Sequence, residues 1–438
     1  MLNQVNYRAK IFYLIRRKIF FKNWEKFYRE ICGASCDYPE NFLPELLQHA
    51  RHHVPFYSEG FAAGNTRIEG LQKWPVLSKK ILKERFEDLK SRDLETRSWY
   101  LNSSGGSTGT PSTFIQDREY QEWSIAAENY YYRNILGFDF ASIPKIIFWS
   151  SPLDLIENTS AIKSKVGHWL RQTTFLDSFK LSREIMENYI TQINRKTPGL
   201  IKGFAGSLYL IAKFAKENNL RIHPPRWIVS GAETLRPFMR EIIEEVFDCK
   251  VYDFYGSRDA GAIAGECIQG NLHIFNFNNW VEVVDEKNAP VSPGREGRVL
   301  ITTLHNYSMP LIRYEIGDTV VMGGSCSCGC RLPTLRKVTG RITDHFLTRG
   351  GERIHGQFFT RLFYFIGWIL EFQILQIEVD RINIFYVLLS QTVESDIQNI
   401  NTQIKRIMGG DCHIDWIQVD QVPRTPHGKW LFTRSLVS

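Results

Sequence analysis

No window of this 438-residue chain approaches the roughly 20 uninterrupted apolar residues that a membrane-spanning helix needs. The N-terminus, MLNQVNYRAKIFYLIRRKIFFKNWEKFYREI, lacks both a clean apolar core and a small-residue cleavage site, so it does not read as an export signal. The two absences together lead us to expect an unexported, cytoplasmic protein. Internal repeats and low-complexity tracts are also missing, which excludes solenoids and long flexible linkers. Charge of one sign is only mildly in excess, at +7 with a pI near 8.9, which permits a polyanionic partner without arguing for nucleic acid. Cysteine is sparse: of eight, Cys267, Cys326, Cys328 and Cys330 crowd into two short segments, which is not a disulfide framework.

What is present is enough for a large core. Hydrophobic residues make up 43% and aromatics 13%, and the length exceeds what one core organises, so two domains are expected. After Gly106 short β-rich runs alternate with amphipathic stretches. PKIIFWS, a helical YLIAKFAKEN at Tyr209–Asn218, RWIVSGAE, FMREIIEEVF and KVYDFYG follow in that order, the signature of an α/β architecture. From Trp280, WVEVVDEKNAPVSPGREGRVLITTL reads as paired strands with turn chemistry. The C-terminal stretch reads as a small α+β unit with helices near Phe358–Ile366 and Glu394–Met408. The expected division is 1–340 and 341–438.

Residues 1–35 form a basic amphipathic segment. Arg8, Lys10, Arg16, Arg17, Lys18, Lys22 and Lys26 interleave with Ile11, Phe12, Leu14, Ile15, Ile19, Phe20, Phe21 and Trp24. Such a helix can lie on an anionic membrane, which would place the protein at the inner membrane face. Apolar stripes more often face a protein core, so docking on the body is the favoured reading.

The stretch NSSGGSTGTPSTF, from Asn102, surrounds one proline with hydroxyls and glycines. Ser103, Ser104, Ser107 and Thr108 offer side-chain oxygens, and Gly105, Gly106 and Gly109 let backbone N–H groups turn toward an anion. The lysine of GxxxxGK[ST] is absent, so a Walker-type loop is not supported.

SSGGSTGTP resembles the phosphate-binding loop of the adenylate-forming superfamily, which includes acyl-CoA synthetases, peptide-synthetase adenylation domains and luciferases. SGAETL at Ser230–Leu235 (Ser230, Gly231, Ala232, Glu233) resembles that family's adenine-contacting segment. DFYGSRDAG, with Asp253, Phe254, Tyr255, Gly256 and Ser257, resembles its YGxTE region. RYEIGDTV resembles the segment whose aspartate, here Asp318, holds the ribose; GRITD resembles the hinge-side GRxxD, with Arg341; and PRTPHGKW resembles the terminal PxxxxGK, with Lys429. Six motifs stand in family order from Ser103 to Lys429. KGFAGSLYLIAKF, YGSRDAGAIAGEC and CSCGC are similar to the phenylacetate–CoA ligase-like, CapK-type branch associated with capsular polysaccharide biosynthesis.

The resemblance implies a large N-terminal domain with a mobile C-terminal lid, and an ATP-dependent ligase that makes an acyl-adenylate and releases pyrophosphate. Catalysis would then be positioning plus neutralisation of developing charge. Ser103–Gly109 would steady the β- and γ-phosphates, Asp318 and Arg341 the ribose, and Lys429 would bridge the substrate carboxylate and the α-phosphate. Asp259 stands where the family has the glutamate that meets Mg2+; its side chain is one methylene shorter, which favours a water-mediated contact. The acceptor would be CoA, an amine or a glycan hydroxyl. A catabolic aryl-acid CoA ligase and a catalytically weak nucleotide-binding scaffold in a glycan pathway are the alternatives. Thiolates and imidazole suit tetrahedral zinc. By the same resemblance Cys267, His273, Cys326 and Cys328 would hold a structural Zn2+, with Cys330 spare. Phe204, Tyr209, Phe254 and Tyr255 are candidates for an apolar acid-binding pocket, although aromatics so spaced are more often core.

Overall fold

The computed structural model describes residues 23–33, 38–58, 68–103, 112–149, 172–178, 181, 183–341, 345–363, 366–423 and 431–437. The chain divides into two compact units that part between Thr339 and Gly340.

In the first unit, β1 (Trp99–Ser103) and β2 (Thr113–Asp117) pair antiparallel on either side of the glycine-rich loop. The main sheet takes β3 (Lys145–Phe148), β4 (Thr173–Leu176), β5 (Leu200–Phe204), β6 (Trp227–Gly231), β7 (Val251–Ser257), β8 (Gly261–Glu266), β9 (Leu272–Ile274), β10 (Asn279–Val284), β11 (Glu296–Thr303), β12 (Tyr314–Met322) and β13 (Thr334–Arg341). Their spatial order is β10-β11-β12-β13-β9-β8-β7-β6-β5-β3-β4. Strands β4, β3, β5, β6 and β7 are parallel, and β8 turns back antiparallel on β7.

Parallel strands need helical crossovers, and the amphipathic runs supply them. α3 (Arg183–Lys196), α4 (Ala205–Glu217) and α5 (Pro237–Phe247) link β4 to β5, β5 to β6 and β6 to β7; before them come α1 (Trp24–Gly33) and α2 (Arg118–Tyr130). α5 shows how locally this is specified. Pro237 opens it where no N–H is required, Asp248 stops it at φ 46°, and Phe238, Met239, Ile243 and Phe247 are its buried stripe. Ile243 is fully buried, so truncation to alanine would cost about 2–5 kcal/mol.

Strand order reverses between β3 and β5. β4 lies on one side of β3, while β5, β6 and β7 run off on the other, and this opens a crevice at the carboxyl ends of β3 and β5, the usual ligand position in such sheets.

α1 docks on the body. Trp24, Phe27 and Ile31 are buried, Phe27 stacks on Trp123 of α2 at 4.3 Å, and the Asn23 N–H donates to Glu122 Oε2 at 2.6 Å. The more basic residues, 1–22, lie outside the described residues. Among the described residues no helix is long and apolar enough to cross a membrane.

The second unit has a small antiparallel pair, β14 (His345–Leu347) and β15 (Arg353–His355), and a four-stranded sheet of β16 (Ile369–Glu378), β17 (Arg381–Leu388), β18 (His413–Gln418) and β19 (Thr433–Ser435) in the order β18-β17-β16-β19. Helix α6 (Glu394–Met408) has the expected bounds and buries Ile400, Ile404 and Met408. The helix expected at Phe358–Ile366 instead runs Gly356–Arg361. It ends there because Leu362 N and Phe363 N bond to the carbonyls of Phe359 and Thr360, three residues back, which tightens the chain out of α geometry.

Candidate active site

Two motif segments converge because β6 and β7 are neighbours. Ser230 lies opposite Asp253 and Gly231 opposite Phe254, so SGAE and DFYGS leave the sheet side by side at its carboxyl edge. A Cβ on Gly231 would stand 3.3 Å from the Phe254 carbonyl oxygen, and one on Gly256 would stand 2.8 Å from the Gly261 carbonyl oxygen. The second contact admits only glycine and explains the YG pair. Ala232 then turns the chain at φ 64°.

The decisive side-chain link joins β7 to β12. Tyr255 Oη donates to Asp318 Oδ2 at 2.8 Å, with Tyr255 8% and Asp318 7% exposed. Two residues 63 apart in sequence, drawn from separate motifs, thus form one buried unit. Asp259 is also buried; its Oδ2 accepts from Tyr314 Oη, the first residue of β12, at 3.0 Å.

Gln116 is a site residue that motif reading missed. Its Oε1 accepts from Tyr100 Oη and Asn102 Nδ2, each at 2.9 Å, and its Nε2 donates to the carbonyls of Arg258 and Asp259 at 2.9 and 3.2 Å. It therefore ties the strand entering the glycine loop to the chain beside Asp259. Ser103 ends that strand, and its N–H donates to Asn102 Oδ1 at 2.9 Å. Ser104, Gly105, Gly106, Ser107, Thr108 and Gly109 lie outside the described residues, as does Lys429. Arg341 ends β13, and its side chain is not described.

Glu233 points to the α4 N-terminus, where its Oε2 accepts from Gly206 N–H at 2.7 Å and satisfies one of the helix's orphan donors. Ser230 is fully buried, and its Oγ has no partner among the described residues. Asp253 is half-buried beside Glu266. Its carboxyl is pushed up to about 7, chiefly by burial and then by the Glu266 charge, against the pull of Arg240 and the Phe254 N–H. Arg240 Nη2 meets Glu266 Oε2 at 2.8 Å, and the same oxygen accepts the Asp253 N–H at 2.7 Å.

The aromatic candidates separate. Tyr209 packs edge-on against Phe238 at 5.2 Å, and Phe254 lies among Tyr131 and Phe275 at 5.4 and 6.0 Å; both are core. Phe204 ends β5 and stacks on Trp149, just beyond β3, at 4.6 Å, so this pair flanks the crevice. Trp149 sits in FWS and carries no motif, which is why sequence reasoning passed over it.

Away from that edge, the ligand atoms of Cys267, His273, Cys326 and Cys328 all lie within 4.8 Å of one another. Cys267 Sγ is 3.6 Å from Cys326 Sγ, and Cys328 Sγ is 3.1 Å from His273 Nε2. The other ring nitrogen, Nδ1, is 3.1 Å from the Leu332 carbonyl; donating there would leave Nε2 as a ligand lone pair. Three sulfurs and one imidazole nitrogen in a closed set fit a tetrahedral soft-ligand metal.

Residues 346–435 match the CapK C-terminal domain. Over 435 residues the chain is 22% identical to Protein CapK of Staphylococcus aureus, covering 95% of this chain and 94% of that protein. The chain is thus similar to Protein CapK over nearly its whole length. A shorter stretch of 131 residues is 31% identical to the phenylacetate-coenzyme A ligase of Thermus thermophilus, covering 28% of this chain and 29% of that one. Among solved structures, 2-hydroxyisobutyryl-CoA ligase in the postadenylation state superposes with a TM-score of 0.68 at 18% identity, over 91% of this chain and 88% of that one. The amide bond synthetase McbA of Marinactinospora thermotolerans gives 0.51 at 14% identity, over 75% and 66%. The chain thus shares its fold with these solved ligases.

Proposed function

We propose that this protein activates a carboxylic acid as its acyl-adenylate and transfers the acyl group to an acceptor. A substrate carboxylate oxygen bonds to the α-phosphorus of ATP while the bond to pyrophosphate breaks. The acceptor's sulfur, nitrogen or oxygen then attacks the acyl carbon and AMP leaves. The observation that carries this reading is the buried Tyr255–Asp318 hydrogen bond, which fixes a carboxylate at the carboxyl edge of the sheet where two ribose hydroxyls can donate to it.

The other roles follow from placement. Ser103–Gly109 would receive the β- and γ-phosphates, with Gln116 setting the stalk of that loop relative to Asp259. Ser230–Glu233 and Asp253–Ser257 would border the base. Lys429 would neutralise the carboxylate and α-phosphate as charge develops, and Arg341 would assist at the ribose. Asp259 is occupied by Tyr314, which supports contact with magnesium through water. The acid would enter beside Trp149 and Phe204. Cys267, His273, Cys326 and Cys328 would hold zinc as a structural ion with no open position. As acceptor, CoA and an amine or glycan hydroxyl both suit the reading, since the fold is shared by a CoA ligase and an amide synthetase. A place in cell-surface polysaccharide synthesis is supported by the likeness to CapK.

Pyrophosphate release against aromatic, fatty, amino and uronic acids, read with and without CoA, tests the reading. One acid should release pyrophosphate without CoA. Silence across the panel, from protein that binds ATP, would favour the scaffold alternative.

A further inference from the structure

The end of the sheet opposite the candidate site carries a cationic surface that adenylation does not use. Two connections meet there, the one from α3 into β5 and the one from α4 into β6. They are fastened together by Asn194, whose Nδ2 donates to the Arg221 carbonyl at 2.8 Å and whose Oδ1 accepts the His223 N–H at 2.7 Å. Arg226 and Trp227 N–H groups both bond to the Gly199 carbonyl at 3.0 Å. Left-handed residues at Thr197 (φ 40°) and Asn219 (φ 53°) fix the two bends.

Arg195, Lys196, Arg221, His223 and Arg226 are all exposed on these connections. Residues 194–200 and 218–227 contain no aspartate or glutamate. Lys196 Nζ donates to the neutral hydroxyl of Thr174 at 2.8 Å, so its charge is not cancelled. The acids nearest in sequence are already met: Glu187 lies 3.2 Å from Arg183, Glu217 lies 3.9 Å from Lys213, and Glu233 accepts the Gly206 N–H at 2.7 Å.

The surface is not purely ionic. Leu220 stands 36% exposed at the tip of the second connection, beside exposed Pro224, and the Arg226 guanidinium lies 4.5 Å over the Trp227 ring. Fixed cations around a protruding aliphatic side chain and an arginine-covered indole complement a surface that is anionic outside and apolar beneath. A soluble polyanion would find no use for Leu220.

We propose that this face docks the protein on an anionic lipid bilayer. The parallel strands then stand with their carboxyl ends away from the membrane, which leaves the candidate active site open to its substrates. The surface is independent of the adenylation reading and of residues 1–22.

The test is flotation of the full chain with phosphatidylcholine vesicles that contain or lack phosphatidylglycerol. Wild type should bind only the anionic vesicles and be released by salt, because exposed charges are screened beyond about 8–10 Å. The variant Arg195→Glu/Arg221→Glu/Arg226→Glu should bind at least about tenfold more weakly, given roughly 1 kcal/mol per basic residue near such a surface. A charge-matched control, Lys80→Glu/Lys83→Glu/Lys287→Glu, on exposed lysines elsewhere should keep most of the binding. All proteins are first checked for equal melting temperature, and Arg195→Gln/Arg221→Gln replaces any reversal variant that fails. Wild type absent from anionic vesicles, equal loss in the control, or unchanged binding in the triple variant would each overturn the proposal. Binding to heparin but not to vesicles would overturn it too.

Discussion

Replacing Tyr255 with phenylalanine removes a single oxygen from the candidate site. The ring is kept, so essentially no apolar burial is lost, and what disappears is the 2.8 Å donation to Asp318 Oδ2. A hydrogen bond to a charged group contributes about 1.5–3 kcal/mol, more where the acceptor is buried, and Asp318 is 7% exposed. Unfolding in urea should therefore show a lower midpoint with an unchanged slope, a loss of about 1.5–3 kcal/mol. If the hydroxyl also orients the carboxylate for ATP, KM for ATP should rise about tenfold, equivalent to about 1.4 kcal/mol. A double-mutant cycle with Asp318→Ala isolates the pair. Coupling of at least about 1.5 kcal/mol is expected, and additivity within about 0.5 kcal/mol would show that the two residues act separately and refute the reasoning.

Lys429→Ala should nearly abolish pyrophosphate exchange while leaving ATP binding largely intact, because its charge acts mainly in the transition state; normal exchange by the folded variant removes Lys429 from the mechanism. Chelation, or Cys328→Ser, should lower the melting temperature before it changes the adenylation rate, and elemental analysis should find one zinc per chain; substoichiometric metal with an unmoved melting temperature refutes the metal. The Asp253 carboxyl is raised to about 7 from 3.8, so between those values the folded protein holds a proton that the unfolded chain has released. That stabilisation is full below about pH 4 and is lost as pH rises through 7. Stability should thus fall from pH 5 to 8, and Asp253→Asn should flatten the slope; identical slopes would refute the assignment.

The main architecture was legible because its signals are local. RWIVSGAE and KVYDFYG became β6 and β7, FMREIIEEVF became α5, and the helix expected at Glu394–Met408 kept both ends. YLIAKFAKEN understated α4 by four residues at its start, since AGSL has no apolar stripe to announce a helix; the entry is set by Phe204 in extended geometry and by Glu233 reaching back from β6. The motif residues were visible as residue types, but not their partners. Nothing in sequence pairs Tyr255 with Asp318, Asp259 with Tyr314, or Gln116 with the chain beside Asp259, because each bond spans at least 55 residues and depends on strand order. Phe254 and Tyr255 illustrate the converse: a strand's period of two turns neighbouring side chains to opposite faces, Tyr255 toward Asp318 and Phe254 toward Tyr131 and Phe275, and composition alone does not say which.

The Cys–His cluster also has a consequence for how the chain opens. Cys267 and Cys326 are 59 residues apart, and β10, β11 and β12 all lie between them. An ion held there would convert that meander into a closed ring. By loop-closure entropy alone a ring of that size removes about 4 kcal/mol of freedom from the unfolded segment. Its three strands could no longer fray one at a time from the sheet edge, so their amides would exchange with solvent in one step. Withdrawal of the ion would split that step and expose the meander to proteases. In a cell, metal supply would then set the lifetime of this protein rather than its turnover number.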